Sequence, residues 1–287
     1  MTLTDERQAR IEARSIWRVR NGQRALEDDL VTVEEPLEIR VAGESVAVIM
    51  RTPCNDFELA AGFLRTEGLI ASPGQLGSIS YCSAAEPPNQ ENIVEVNLAA
   101  GVAFDLDALR RNFYASSSCG VCGKASIEAI RCQAPILADE FTVPVETLYG
   151  LSERMREAQD VFEQTGSLHA AALFSVDGDL LLLREDVGRH NAVDKLVGYY
   201  TLRNEPVPEQ SVLMVSGRTS FEIVQKGWMA GIAIIAAVSA PSSLAVDLAR
   251  ESGMSLLGFL RGRGFNVYSG EARIAFQSNF TRRENNG

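Results

Sequence analysis

From residue 169 onward, continuous apolar runs alternate with segments of helical period. HAAALFS and LLLLRED flank Val176-Asp177-Gly178-Asp179, a pattern that predicts a β-hairpin. NAVDKLVGYY then reads as a helix and SVLMVSG as a buried strand. TSFEIVQKGWMAG reads as a helix, IAIIAAVS as a buried strand, PSSLAVDLARESG as a helix opened by Pro241, and MSLLGFL as a closing strand. Strands that are apolar throughout, divided by helices, predict a mostly parallel sheet covered on both faces.

The N-terminal half has a different texture. Residues 1–30 are charged and without a stable period, so they read as a loose arm or a short helix. VTVEEPLEIR and SVAVIMR, divided by Ala42-Gly43-Glu44, predict a hairpin with Pro36 on an edge. Apolar residues at 59, 60, 63 and 64 predict a helix capped by Asn55 and ended near Gly68. Further strands are predicted near 76–82 and 92–98, and helices over 121–131 and within LYGLSERMREAQDVFEQ. The expected organisation is a polar arm (1–30), an N-terminal α/β subdomain (31–113), a larger α/β domain (114–272) and a polar tail (273–287).

Composition narrows the function classes. The net charge of -11 argues against nucleic acid and anionic membrane surfaces as partners. The longest apolar run, Gly231 to Pro241, is too short to span a bilayer, and the polar start lacks a secretory pattern. A cytoplasmic protein without membrane insertion is expected. Five cysteines, an odd number in a long chain, do not read as a disulfide framework. Cys82 and Cys132 read as packed thiols, while Cys54 sits in a turn.

The cysteines that stand out are in Ser118-Cys119-Gly120-Val121-Cys122-Gly123-Lys124. Two cysteines three apart fit the first turn of a helix, where unpaired N–H groups and Lys124 favour a thiolate. The glycines leave room for a large group to approach either sulfur. Buried structural thiols, half of a zinc site, a redox dithiol and a sulfur-transferring thiol all remain open on these residues alone.

Three polar clusters follow predicted strands. Asp186 to Asn191 contains His190 and sits where α/β sheets bind ligands. Ser216, Gly217 and Arg218 open a predicted helix and suit an anion. GFLRGRGFNVYSG alternates arginine with glycine and adds Phe265, Asn266 and Tyr268, which would suit a purine nucleotide; a solvated basic loop is the alternative. Residues 211–270 carry five basic and three acidic side chains within an acidic chain, so a phosphate-bearing ligand is expected there.

Together these segments resemble the FdhD family, the formate dehydrogenase accessory sulfurtransferases. The carriers of the likeness are TPCNDFELAAGFLRTEGLI, SSCGVCGKASIE, EDVGRHNAVDKLVG, VSGRTSFEIVQKGWMAGI, SAPSSLAVDLA and GFLRGRGFNVY, in order over about 52–268. The resemblance implies a sulfur carrier that takes sulfur from a cysteine desulfurase as a Cys119 persulfide, with Cys122 assisting. The sulfur then goes to the molybdenum (or tungsten) cofactor, bis-molybdopterin guanine dinucleotide, needed by the formate dehydrogenase catalytic subunit. A dithiol oxidoreductase and a cofactor-carrying chaperone without sulfur transfer are the alternatives. Phe259, Leu260, Arg261, Gly262, Arg263, Gly264, Phe265 and Asn266 resemble the family's guanine-nucleotide end. The clusters at 186–191 and 216–220, with Ser216, Gly217, Arg218 and His190 foremost, are added as phosphate and pterin contacts. The resemblance also implies a cytidine-deaminase-like three-layer core. Deaminase chemistry is not expected, because His169-Ala170-Ala171 stands where a deaminase has His-x-Glu. No permanently bound metal is expected, and a homodimer is a further candidate assembly.

Overall fold

The computed structural model describes residues 10–87, 89–102, 134, 137 and 141–276. Cys119, Cys122, Cys132 and the helix expected over 121–131 lie outside the described residues. The segment read as a loose arm is instead a two-stranded ribbon, β1 (Ile11–Arg20) and β2 (Gln23–Thr32), paired antiparallel along its full length. Its turn is Asn21-Gly22, both at positive φ (51° and 77°), the combination that a tight two-residue hairpin requires.

Strands β3 (Glu35–Val41) and β4 (Glu44–Arg51) form the expected hairpin, and helix α1 (Asp56–Thr66) follows. With β5 (Leu76–Tyr81) and β6 (Ile93–Leu98) they complete a four-stranded sheet of order β4-β3-β6-β5. Leu37, Ile39, Val41, Val94 and Val96 face Leu59, Phe63 and Leu64 of α1 in a small core. Asn55 precedes α1 but makes no side-chain cap; it lies in the left-handed region at φ 59°, and its Oδ1 accepts from Arg10 Nη2 at 2.8 Å. Gly68 ends the helix at φ 73°, as expected.

The larger unit contains β7 (Val143–Pro144), the short helices α2 (Val145–Tyr149), α3 (Leu151–Glu157) and α4 (Asp160–Thr165), then β8 (His169–Ser175) and β9 (Leu180–Asp186). It continues with α5 (Arg189–Leu202), β10 (Ser211–Val215), α6 (Phe221–Met229), β11 (Ile234–Ala237), α7 (Ser243–Glu251), β12 (Ser255–Arg261), β13 (Gly264–Ser269) and β14 (Ile274–Ala275). Pro241 does not open α7. Ser242 caps it, its Oγ accepting from Ala245 N at 3.3 Å.

The main sheet has the order β13-β12-β11-β10-β8-β9. Only β10/β11 and β11/β12 are parallel; β8/β9, β8/β10 and β12/β13 are antiparallel. The expectation of a cytidine-deaminase-like core with a mostly parallel sheet is therefore corrected: the sheet is mixed. The cause is connection length. Turns of a few residues, at 176–179 and at Gly262-Arg263, can only return the chain antiparallel, whereas a parallel return needs a crossover. GFNVYSG, placed beyond the last predicted strand, is mostly the edge strand β13.

Helices α1 and α5 cross at glycine on glycine. A Cβ on Gly62 would overlap the Asp194 carbonyl, and one on Gly198 would overlap the Glu58 carbonyl. The backbones thus touch, and the smaller sheet is clasped to the larger one through these helices. No helix among the described residues is long and apolar enough to cross a membrane.

Candidate functional site

The antiparallel placement of β8 beside β9 and β10 aligns the strands so that four C-terminal ends meet at one edge of the main sheet. These are the ends of β9, β10, β11 and β12, joined there by His169 at the start of β8. Phe259 has φ 57° at an irregularity in the β12/β13 register, and Gly217 admits close neighbours.

Ser216 fixes the exit of β10. Its N donates to Ala170 O at 3.0 Å, and its Oγ accepts from Ala170 N at 2.9 Å. Gly217 follows, and a Cβ there would stand 3.3 Å from His169 Nδ1 and 3.7 Å from Arg189 Cδ. One glycine therefore sits against an imidazole and a guanidinium stem at once. Thr219 N donates to Ala240 O at 3.2 Å and Ser242 N to Thr219 O at 2.9 Å, tying the loops after β10 and β11 together. Ser220 Oγ lies 3.2 Å from His190 Nε2, and Glu222 Oε2 lies 3.8 Å from the same nitrogen.

Asp186 organises the loop before α5 from within. It is fully buried and pairs with Lys195 Nζ at 2.7 Å. It also accepts from Asn191 Nδ2 (2.8 Å), Gly188 N (2.8 Å) and Thr52 N (3.2 Å). With its acceptors filled, Asp186 shapes the loop, and the side chains left to meet a ligand are Arg189 and His190. Both nearby histidines are held neutral. Burial and then Arg189 push His169 below its ordinary value, and burial, Arg189 and Lys226 push His190 down to about 4.

A cleft of about 780 Å³ opens beside this edge. His169, Ser216, Val238 and Arg261 line its sheet side, and Met155, Arg156, Gln159 and Phe162 line its helix side. Arg261 is held by its Nε donating to Val238 O at 3.2 Å. Of the sequence-expected residues, Ser216 and Arg261 line this cleft, Gly217 lies against His169 and Arg189, and His190 lies beside Ser220 and Glu222. Arg218 is exposed on the same loop.

The rest of the 259–266 segment diverges. Leu260 is fully buried, Phe259 is exposed, and Gly262 N donates to Glu153 Oε1 at 3.1 Å. Arg263 pairs with Glu146 at 2.9 Å and lies over the Tyr149 ring, which also meets Phe265 at a centroid distance of 5.9 Å. Gly264 starts β13, and Asn266 Nδ2 donates to Tyr268 Oη at 3.4 Å.

Two further residues of the clusters expected at 186–191 and 216–220 lie at this edge. Arg189 Nε and Thr219 Oγ1 are buried without a hydrogen-bond partner among the described residues. Arg189 had a signal. It is the first residue of a helix whose first turn contains no acid and whose N-cap, Gly188, offers no side-chain acceptor. A cation at the positive end of a helix is unfavourable on its own, and an anion between them reverses the sign.

The family profile described as FdhD/NarQ matches residues 32–275. The sulfur carrier protein FdhD of Streptomyces avermitilis is 53% identical over 274 residues, covering 93% of this chain and 96% of its own length. The sulfur carrier protein FdhD of Sulfurisphaera tokodaii is 44% identical over 262 residues, covering 90% and 97%. A solved structure described as a formate dehydrogenase accessory protein, from Desulfotalea psychrophila, is similar with a TM-score of 0.74 at 26% identity. That likeness covers 93% of this chain and all of the other.

Proposed function

The chain belongs to the FdhD/NarQ family, and from that premise we propose that it is a sulfur carrier acting in molybdenum cofactor maturation for formate dehydrogenase. The observation that carries this reading is the likeness, along nearly the whole chain, to proteins named as sulfur carriers.

The chemical step assigned to Cys119 is thiol–persulfide exchange. The Cys119 thiolate attacks the outer sulfur of a cysteine desulfurase persulfide. The old S–S bond breaks, the desulfurase cysteine leaves as a thiolate, and Cys119 keeps the outer sulfur. Delivery of that sulfur as sulfide requires two electrons. Cys122 supplies them by bonding to the Cys119 sulfur, and a thiol reductant then reopens the disulfide.

The acceptor is the bis-molybdopterin guanine dinucleotide cofactor, bound as cargo at the sheet edge. The fit rests on charge and unmet hydrogen bonding. Arg189 Nε and Thr219 Oγ1 are buried without partners among the described residues, and the N-termini of α5 and α6 lack side-chain caps. Those are the partners a phosphate oxygen completes. Gly217 keeps the approach open, while Arg261 borders the adjoining cleft.

Incubating the protein with a cysteine desulfurase and cysteine, followed by intact-mass measurement, tests the reading. The expected result is a DTT-reversible gain of one sulfur atom that maps to Cys119 and is absent from Cys119→Ala. A folded protein that gains no sulfur, or gains it equally in Cys119→Ala, would refute the assignment.

A further inference from the structure

A second pocket, of about 160 Å³, lies at the opposite end of β10 and β11 from the edge described above. Val207 and Gly231 line it, and they precede those two strands in the chain. Both units of the molecule contribute walls. Arg65, in the last turn of α1, and Pro73 come from the smaller unit, and Val197, Tyr200, Pro206 and Ala230 come from the larger one.

Arg65 is the cation of this lining, and nothing in the pocket answers it. Its Nη1 is buried without a hydrogen-bond partner among the described residues. Burial pushes the guanidinium below its ordinary value, and no carboxylate among the described residues pulls it back. Glu205 and Glu209 line the same pocket, yet both are exposed and neither pairs with Arg65. An arginine at the end of a helix ordinarily donates to the last carbonyls. Here those carbonyls are taken. Leu64 O accepts from Leu69 N at 2.8 Å, Tyr200 O from Glu205 N at 3.0 Å and Trp228 O from Gly231 N at 2.9 Å. A buried donor left without an acceptor is costly, and a guanidinium–carboxylate hydrogen bond is among the strong ones.

The remaining walls limit what the acceptor can be. The C-terminal ends of α1, α5 and α6 all border the pocket, with Glu205 and Glu209 beside them. One negative charge is offset by Arg65, and a second would be repelled by these groups. At roughly 30 Å³ for each water-sized group, the space holds about five of them, which excludes a nucleotide. We propose that this pocket binds a small aliphatic monocarboxylate. Its carboxylate accepts from Arg65 Nη1, and its short tail lies against Val197, Pro206 and Val207. The inference is independent of the sulfur-carrier reading.

Ligand-observed NMR titration of the full chain, at neutral pH and fixed ionic strength, tests it with sodium acetate, propionate and butyrate as probes. So small a ligand has few atoms to bind with, and the butyrate Kd should fall at about 1–10 mM. Each added CH2 along the series should tighten binding by up to about fourfold. Butyramide, close in shape to butyrate and uncharged, should bind about tenfold more weakly or worse. Arg65→Gln should lose about tenfold in butyrate affinity. Arg189→Gln, at the far end of α5, should bind butyrate as the wild type does. Far-UV circular dichroism confirms that the variants are folded; if Arg65→Gln does not fold, the comparison of butyrate with butyramide on the wild type decides. The proposal is overturned by a wild type without saturable butyrate binding, by butyramide binding as tightly as butyrate, or by a folded Arg65→Gln protein with unchanged affinity. Loss of binding in Arg189→Gln instead would place the carboxylate at the sheet edge and overturn it equally.

Discussion

His190 stands between Ser220 and Glu222 with its ring about a third exposed, at 32%. Its ordinary value of 6.5 is pushed down to about 4, first by burial and then by Arg189 and Lys226, so the neutral ring is the folded form. As pH falls below 6.5 the unfolded chain takes up the proton first. The stability contributed by neutral His190 is therefore full above that value and lost as pH approaches 4. Allowing for partial exposure, the loss is about 2 kcal/mol. Urea denaturation at about pH 7 and about pH 4.5 should show a smaller decline for His190→Gln than for the wild type; equal declines would reject the assignment. His190, Ser216, Gly217 and Arg261 were expected at a site because ligands gather where parallel strands end, and of these Ser216 and Arg261 line the cleft. Leu260 and Phe265 were assigned to the same ligand by their segment alone. Their placement depends on β13 returning beside β12, which buries one and turns the other toward Tyr149.

The crossing of α1 and α5 makes the sharpest prediction at the level of elements. Inside an exposed helix, glycine to alanine stabilises by up to about 1 kcal/mol. At Gly198 the added methyl would overlap the Glu58 carbonyl, a backbone atom that cannot move aside. Steric conflict outweighs propensity, and Gly198→Ala should destabilise by about 3 kcal/mol. Gly150→Ala is the contrast, because the nearest neighbour of its Cβ is the flexible Arg154 side chain at 3.7 Å. It should change stability by less than about 0.5 kcal/mol. Chemical denaturation of both variants checks the pair; a Gly198→Ala protein as stable as the wild type would reject close backbone contact. Other elements divided by how local their signals were. β8 and β9 were legible because their turn and apolar runs are contiguous. The ribbon carried its signal too, in Asn21-Gly22 between alternating residues, but its many charges concealed the period. The parallel-sheet expectation followed from strands buried on both sides, and burial does not encode direction. Direction was set by short turns at two places along the sheet.

At the scale of the whole molecule, the described residues form two hydrophobic cores, one around the four-stranded sheet and one around the six-stranded sheet. A seam of buried charge joins them. Arg184 of β9 pairs with Glu58 of α1 at 2.5 Å, and Lys195 Nζ of α5 donates to Thr52 O at 2.8 Å. Lys226 of α6 pairs with Asp194 of α5 at 3.0 Å and with Glu67, just past α1, at 2.7 Å. Thr66 Oγ1 donates to Asp194 at 2.7 Å. Such groups cannot be exposed singly without leaving an uncompensated charge behind, so the two sheets should unfold together. Far-UV circular dichroism and Trp228 emission, read in a Trp17→Phe background, should give coincident urea transitions. Lys226→Met isolates the seam. Burial already pushes the Asp194 carboxyl up to about 6, against the pull of Lys226. Without that cation Asp194 rises further, and its charged form at neutral pH is buried without a counter-ion. Removing one partner of a buried pair costs about 3 kcal/mol or somewhat more. The folded value then lies far above the unfolded one. The penalty is therefore small where Asp194 is protonated and grows as pH rises through its folded value. Lys226→Met should accordingly lose most stability near about pH 8 and recover part of it near about pH 5, with Lys226→Met/Asp194→Asn losing less than the single variant at the higher pH. A Lys226→Met loss that is the same at both pH values, or two sheets that melt separately in the wild type, would show that the seam does not couple them.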